Sequence, residues 1–122
     1  MFRRLGNGRF QVNIWCWPIG SGEMYGVRMD PKTSPGLRSA VTPRHQVDKP
    51  VGEWSTFESA VRGKTVSVVL NGVTVIPAAT IPDLPTSGRI ALQHHGGKDA
   101  QGRWNSPPSL LQFKNVYNKG VK

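Results

Sequence analysis

The sequence predicts an all-β domain of the sandwich or barrel type. Its 122 residues include 14 glycines and 10 prolines, well above average usage. Between them lie short runs that alternate apolar and polar side chains or are rich in β-branched residues. No segment has the apolar spacing of a convincing amphipathic helix. The length suits one domain and is too short for two, so we expect residues 1–122 to form a single β-sandwich domain.

The first predicted strand, residues 10–17, carries the candidate binding surface. Its residues alternate between an apolar and a polar or aromatic set: Phe10, Val12, Ile14 and Cys16 against Gln11, Asn13, Trp15 and Trp17. Indoles beside amides suit a sugar ring, whose C–H faces stack on aromatic side chains and whose hydroxyls need fixed donors and acceptors. The alternative is that the two indoles lie under a second layer as ordinary core, because Trp is highly buried on average.

A hairpin is expected to follow this strand. Residues 19–22, with two glycines around a serine, predict a tight turn that returns the chain as a second strand over residues 23–29. In that strand Glu23 and Tyr25 share one side, where the hairpin brings them beside the tryptophans, and Arg28 lies on the other side.

Residues 30–50 predict a long surface loop. The stretch has no sustained period of either kind, and four prolines interrupt it. Loops of this length in compact domains are usually either functional or disordered. The loop contains His45, which on composition alone is more often a solvent-exposed histidine than a ligand.

The clearest strand signals lie in residues 53–76. Turns at residues 62–64 and 71–72 divide this region into three strands, and the second turn is Asn-Gly, the strongest short hairpin signal. A proline-punctuated crossover over residues 77–88 is expected to follow. The core side of the middle strand is predicted to carry Val66, Val68 and Leu70.

A late strand over residues 89–95 completes the predicted cleft. Its apolar residues mark the core side, so Gln93 and His95 face the cleft, whereas His94 points inward unless a bulge at the strand end redirects it. The closing strand, residues 110–117, is expected to direct Leu111 and Phe113 inward.

Charge and cysteine content limit the function classes. The formal net charge of +9 attracts polyanions, but only Arg3, Arg4 and Arg9 cluster, so a solvated basic surface is favoured over nucleic-acid binding. The single cysteine, Cys16, is expected to be a buried, inert thiol. No apolar run is long enough to cross a bilayer and no signal-peptide core is present, which predicts a soluble chain and leaves its export open.

The polar faces together collect the candidate site, namely Trp15, Trp17, Glu23, Tyr25, Gln93 and His95, with Arg28, Glu53 and His45 on neighbouring segments. A carboxylate and an imidazole on one aromatic surface can perform general acid–base catalysis or hold a divalent metal, although their spacing matches no metal-ligand motif. Glu23 and Glu53 are the only plausible carboxylate pair for conventional glycoside hydrolysis.

Four runs in this order resemble the 3-keto-disaccharide hydrolase domain family over about residues 5–118: QVNIWCWPIGSGEMYGVR, KPVGEWSTFESAVRGKTVSVVLNGVTVI, SGRIALQHHGG and SLLQFKNVY. The resemblance implies a concanavalin A-like lectin/glucanase jelly roll that binds ligands on its concave sheet. It also implies a carbohydrate-related role, since some relatives cleave glycosides whose sugar is oxidised to a 3-keto form, and a bacterial periplasmic or secreted location. The leading prediction is a carbohydrate-active protein that cleaves 3-keto glycosides or related glucosides by acid–base or metal-assisted chemistry.

The resemblance also implies residue roles. Glu23 and His95 would act as base or as ligands of a divalent metal, and no other cofactor is implied. The residues that would bind the sugar are Trp15, Trp17, Tyr25, Arg28 and Gln93. Family domains begin with several strands before residue 5, so the chain is expected to lack N-terminal strands and to cover an open sheet edge by pairing with a second copy. The alternatives to an enzyme are a non-catalytic carbohydrate-binding module and a basic polyanion-binding protein.

Overall fold

A computed structural model describes residues 10–14, 18–85, 92, 100–103 and 112–119. In this part of the chain, two short helices precede three strands: α1 (Tyr25–Arg28), α2 (Pro35–Ala40), β1 (Phe57–Arg62), β2 (Thr65–Leu70) and β3 (Val73–Thr80). The chain divides into two compact units, Met1–Ala91 and Leu92–Lys122, and all five elements belong to the first. The predicted single domain stays a prediction.

The strands form one antiparallel sheet in the order β1-β2-β3, as the all-β fold class requires. The β2–β3 turn confirms the Asn-Gly signal, because Asn71 and Gly72 have φ values of 52° and 79°. Positive φ at both central positions gives a turn whose twist matches that of the flanking strands. No helix within the described residues has the length and hydropathy needed to cross a membrane.

The hydrophobic core lies on one face of this sheet. Val66, Val68 and Leu70 of β2 are fully buried, which confirms the predicted core side. Phe57 and Val61 of β1 pack against the same cluster but are only partly buried. The other buried apolar members are Phe10, Val12, Met24, Val27, Val41, Val75, Ile76, Ala79, Ile81 and Leu84.

Strand β3 is longer than predicted, because it continues through Pro77 instead of ending at Ile76. The pairing shifts along β3, with Val68 opposite Ile76 and Val66 opposite Ala79. An extra residue in one strand is a β-bulge, and a proline is tolerated there because its missing N–H removes no ladder bond.

The predicted second strand over residues 23–29 is wrong, because helix α1 occupies this segment. Arg28 N–H donates to the Met24 carbonyl at 2.9 Å, and Met29 N–H donates to the Tyr25 carbonyl at 2.9 Å. Met24 and Val27 are both buried. Residues three apart share a face of a helix but lie on opposite faces of a strand, so the helical turn lets both side chains enter the core.

The predicted structureless loop over residues 30–50 is also wrong, because it contains α2. Pro35 occupies the first turn, where a missing N–H costs nothing, and the Ser34 hydroxyl accepts a bond from Leu37 N–H at 3.3 Å. Val41 after the helix is fully buried, and its carbonyl accepts a bond from Met24 N–H at 3.2 Å.

The segment over residues 10–14 forms part of the expected hairpin without being a regular strand. Asn13 N–H donates to the Glu23 carbonyl and Gly22 N–H donates to the Asn13 carbonyl, both at 2.9 Å. Phe10 and Val12 are buried, as their alternation predicts.

The strand predictions for the part of the chain after residue 88 are wrong where the structure describes it. Residues 112–117 contain no strand, and Phe113 and Leu92, both expected on the core side, are 37% and 43% exposed. A short alternating run becomes a strand only where a neighbouring strand satisfies its backbone groups. The rest of the predicted strand over residues 89–95 lies outside the described residues, as do Cys16, His94 and Leu111.

Candidate functional site

The structure brings together three of the seven predicted catalytic and sugar-binding residues. Tyr25 and Arg28 lie in α1, and Glu23 directly precedes the N-cap residue Met24. The other four lie outside the described residues, so their predicted places are untested: Trp15, Trp17, Gln93 and His95.

Glu23 and Arg28 form an ion pair in which Arg28 Nε donates to Glu23 Oε2. The Glu23 side chain has no exposed surface, whereas the Arg28 side chain is 26% exposed. A buried carboxylate needs such a partner, because an isolated charge loses its hydration without compensation. The strand prediction placed these two residues on opposite sides, and the helical turn reverses that arrangement.

Tyr25 lies on the solvent side of this pair. It is 39% exposed, and the guanidinium carbon of Arg28 lies 6.0 Å from its ring centroid, at the outer limit of a cation–π contact. Among the described residues, the two terminal nitrogens of Arg28 have no hydrogen-bond partner. Within that part of the chain, the cluster therefore presents a fixed cation with free donors beside an aromatic ring.

Arg38 of α2 holds the end of α1 in place. Its Nε donates to the Arg28 carbonyl at 2.9 Å, and its Nη2 donates to the Asp30 and Thr33 carbonyls at 3.0 Å each. The last carbonyls of a helix lack partners within the helix, so Arg38 satisfies one that α1 leaves open, and its other two bonds hold the segment that follows α1. Sequence reasoning missed this residue, because an arginine between prolines gives no signal that separates it from a surface charge.

The turn before Glu23 is also held in one conformation, by Asp48 and by packing against Val75. Ser21 N–H donates to Asp48 Oδ2 at 2.8 Å. Gly22 has φ of +112°, and a Cβ there would lie 2.9 Å from Val75 Cγ2. Only glycine adopts this conformation readily and leaves room for Val75, so the turn has a fixed path into Glu23.

No metal site is visible in the described part of the chain, where no group of three or more His, Cys, Asp or Glu side chains could hold an ion. The predicted metal pair of Glu23 and His95 stays a prediction, because His95 lies outside the described residues. His45 and Glu53 are exposed, whereas Glu23 is buried.

An open groove of about 500 Å³ includes none of the predicted residues and is lined by Pro35, Arg38, Ser39, Thr42, Pro43 and Arg44.

Trp54 is a second aromatic residue on the described surface. It precedes β1 and is 46% exposed. A half-exposed indole can stack on a sugar ring. Strand periodicity did not single it out, and in the structure it lies outside any strand, before β1.

The three-stranded antiparallel sheet, with its core on one face, places the chain in the all-β class. A family model described as the 3-keto-alpha-glucoside-1,2-lyase-like domain matches residues 6–119, and the chain belongs to this family. The family is carbohydrate-active and concanavalin-like, as the sequence resemblance implied. Neither the curated proteins nor the solved structures gave a match.

Proposed function

We propose that this protein binds glycosides whose sugar carries a 3-keto group and cleaves them by base-catalysed elimination. Family membership over residues 6–119 supports the substrate class. The observation that carries the chemistry is the Arg28–Glu23 pair, a held cation next to the exposed Tyr25 whose terminal donors are free among the described residues.

The reaction exploits the acidity that a C3 carbonyl gives to the proton on C2. A base removes that proton, and the electron pair forms an enolate whose negative charge lies on the C3 oxygen. As the carbonyl re-forms, a C1–C2 double bond appears, the C1–O bond breaks, and the aglycone leaves and takes up a proton. Water added across the new double bond completes a net hydrolysis.

Arg28 is the candidate electrophile in this scheme. Its Nε is engaged by Glu23, which fixes the guanidinium plane and leaves both terminal nitrogens able to donate to the enolate oxygen. Preorganised donors aimed at developing charge commonly accelerate a reaction more than any other single effect of an active site. Tyr25 would contact the sugar from the exposed side of the same turn.

The base role was predicted for Glu23 and His95. Glu23 has no exposed surface and is held by Arg28, so we assign it the orienting role and assign the base role to His95. A divalent metal held by Glu23 and His95 is the alternative source of enolate stabilisation. Activity that EDTA abolishes and added metal restores would favour that alternative.

The test is release of the phenol from an aryl 3-keto-glucoside. Arg28→Met is expected to lower kcat about 100-fold, the usual effect of losing one oxyanion donor. Arg28→Lys keeps the charge but loses the planar fork, so we expect intermediate activity. The matched control is Arg44→Met, which removes an exposed arginine outside the cluster and should leave the rate unchanged.

Two results separate this proposal from its alternatives. The matching unoxidised glucoside should release no phenol, because its C2 proton is not acidified. A folded wild-type protein that binds 3-keto glycosides without releasing product would refute the enzyme proposal and indicate a non-catalytic sugar-binding module.

A further inference from the structure

Strand β1 has an open outer edge in the described part of the chain. It is first in the order β1-β2-β3 and pairs on one side only, with β2. Phe57 and Val61 of β1 are partly buried, whereas their β2 partners Leu70 and Val66 are fully buried. A strand edge with unpaired N–H and C=O groups, next to partly buried apolar side chains, can pair with a strand of another chain.

The direction of the free backbone groups follows from the neighbouring turn. Asn71 N–H donates to the Thr56 carbonyl at 2.8 Å, so the backbone groups of Thr56 point towards β2. Backbone direction alternates along a strand, so every second residue points the same way. The residues of β1 that present N–H and C=O groups outward are therefore Phe57, Ser59 and Val61.

We propose that β1 pairs with β1 of a second copy, antiparallel, about a two-fold axis at Ala60. This register places Ser59 opposite Val61 of the second copy, so their outward groups bond in both directions. It also places Glu58 opposite Arg62 of the second copy, once on each side of the axis. Both charged residues are exposed, and opposite charges directly across a ladder stabilise the pairing.

Charge matching selects this register over its neighbours. A regular antiparallel ladder pairs residues whose backbone groups point the same way, so the axis must pass through a residue. An axis at Ser59 would place Glu58 opposite Ala60, and an axis at Val61 would place Arg62 opposite Ala60. Only the axis at Ala60 places Glu58 opposite Arg62, with both residues inside β1; an axis at Val61 would put Glu58 opposite Lys64, which lies in the turn beyond the strand.

The geometry at this axis also favours close side-chain contact. In the new ladder, Glu58 and Arg62 fall in non-hydrogen-bonded pairs, where Cα atoms approach to about 4.5 Å. Ala60 meets its own copy, and its small side chain allows that approach. The two sheets would join into one, and the margins of both cores at Phe57 and Val61 would lie on the same face.

Charge reversal tests the pairing. The wild-type protein should sediment as a dimer at micromolar concentration, whereas Glu58→Arg or Arg62→Glu alone places like charges opposite each other and should raise the dimer Kd at least about tenfold. An equimolar mixture of the two variants should restore dimers, because each supplies the charge that the other lacks. The double variant E58R/R62E should also dimerise. Circular dichroism verifies that each variant is folded.

Disulfide trapping tests the axis. In a Cys16→Ser background, Ala60→Cys should cross-link on oxidation, because facing Cβ atoms at a non-hydrogen-bonded pair lie within disulfide range. Glu58→Cys is the matched control and should stay uncross-linked, since its two copies lie far apart. Ser59→Pro removes an outward N–H without removing a β2 bond and should weaken the dimer.

Three results would overturn the proposal, whatever the outcome of the glycoside assay. The first is a wild-type protein that stays monomeric at a concentration of about 0.1 mM, 100-fold above 1 μM. The second is a dimer unaffected by either charge reversal. The third is cross-linking at Glu58→Cys but not at Ala60→Cys, which would show another register or another surface.

Discussion

Removing Arg28 is expected to destabilise the protein far more than removing the charge of Glu23. Arg28→Met removes the guanidinium that donates to Glu23 Oε2, and removing one partner of a buried ion pair costs about 3–5 kcal/mol. The partial exposure of Arg28 lets water reach the site, which places our expectation near the lower end, about 3 kcal/mol. For a domain of this size that is a fall in Tm of about 10 °C.

Glu23→Gln should cost much less. The amide keeps the shape and the ability to accept a bond, and the Arg28 charge that it leaves is partly exposed and can be hydrated. We expect about 1 kcal/mol. In the double variant E23Q/R28M both charges of this pair are gone, so it should be more stable than Arg28→Met alone.

Urea unfolding followed by tryptophan fluorescence measures all three variants in one double-mutant cycle. Equal destabilisation by the two single variants, or a double variant no more stable than Arg28→Met, would refute the burial argument. The double variant also separates structure from chemistry, because it should regain stability without regaining turnover of the 3-keto glucoside.

Three further predictions concern the turn before Glu23, the contacts of Arg38 with α1, and the β2–β3 turn. Gly22→Ala should destabilise the folded protein by about 1–3 kcal/mol, because φ at this position is +112° and the new Cβ would meet Val75. The control Gly36→Ala lies in a helix with no atom near the new Cβ and should stabilise the protein by about 0.5–1 kcal/mol. Arg38→Met should cost about 2–3 kcal/mol and lower turnover, because three carbonyls lose their donor. Asn71→Gly should cost about 1–2 kcal/mol, since the turn keeps its positive φ but loses the side-chain bonds. Urea unfolding measures each free energy.

Each of these has a contrary outcome. Equal effects at the two glycines would show that the turn before Glu23 tolerates a side chain. An Arg38→Met variant with wild-type stability would mean that water replaces its bonds to α1. A neutral Asn71→Gly variant would show that turn conformation alone fixes the β2–β3 hairpin.

Much of the sheet could be read from local sequence. The Asn-Gly turn and the alternation of Val66, Val68 and Leu70 are properties of a few adjacent residues, and both were predicted. Family membership was likewise predicted from ordered motifs. These features need no knowledge of what packs against them, because turn conformation and strand period are set within the segment itself.

Tertiary structure decided the geometry of the candidate site. Residues 23–29 fit a strand by alternation, yet Met24 and Val27 reach the same core only through a helical turn, and Arg38 secures that turn from another helix. Local period could not foresee this, because the contacts that decide it join residues distant in the chain. The sequence determined the sheet and the family; long-range packing decided that Glu23 would be buried and that the partly exposed Arg28 would pair with it.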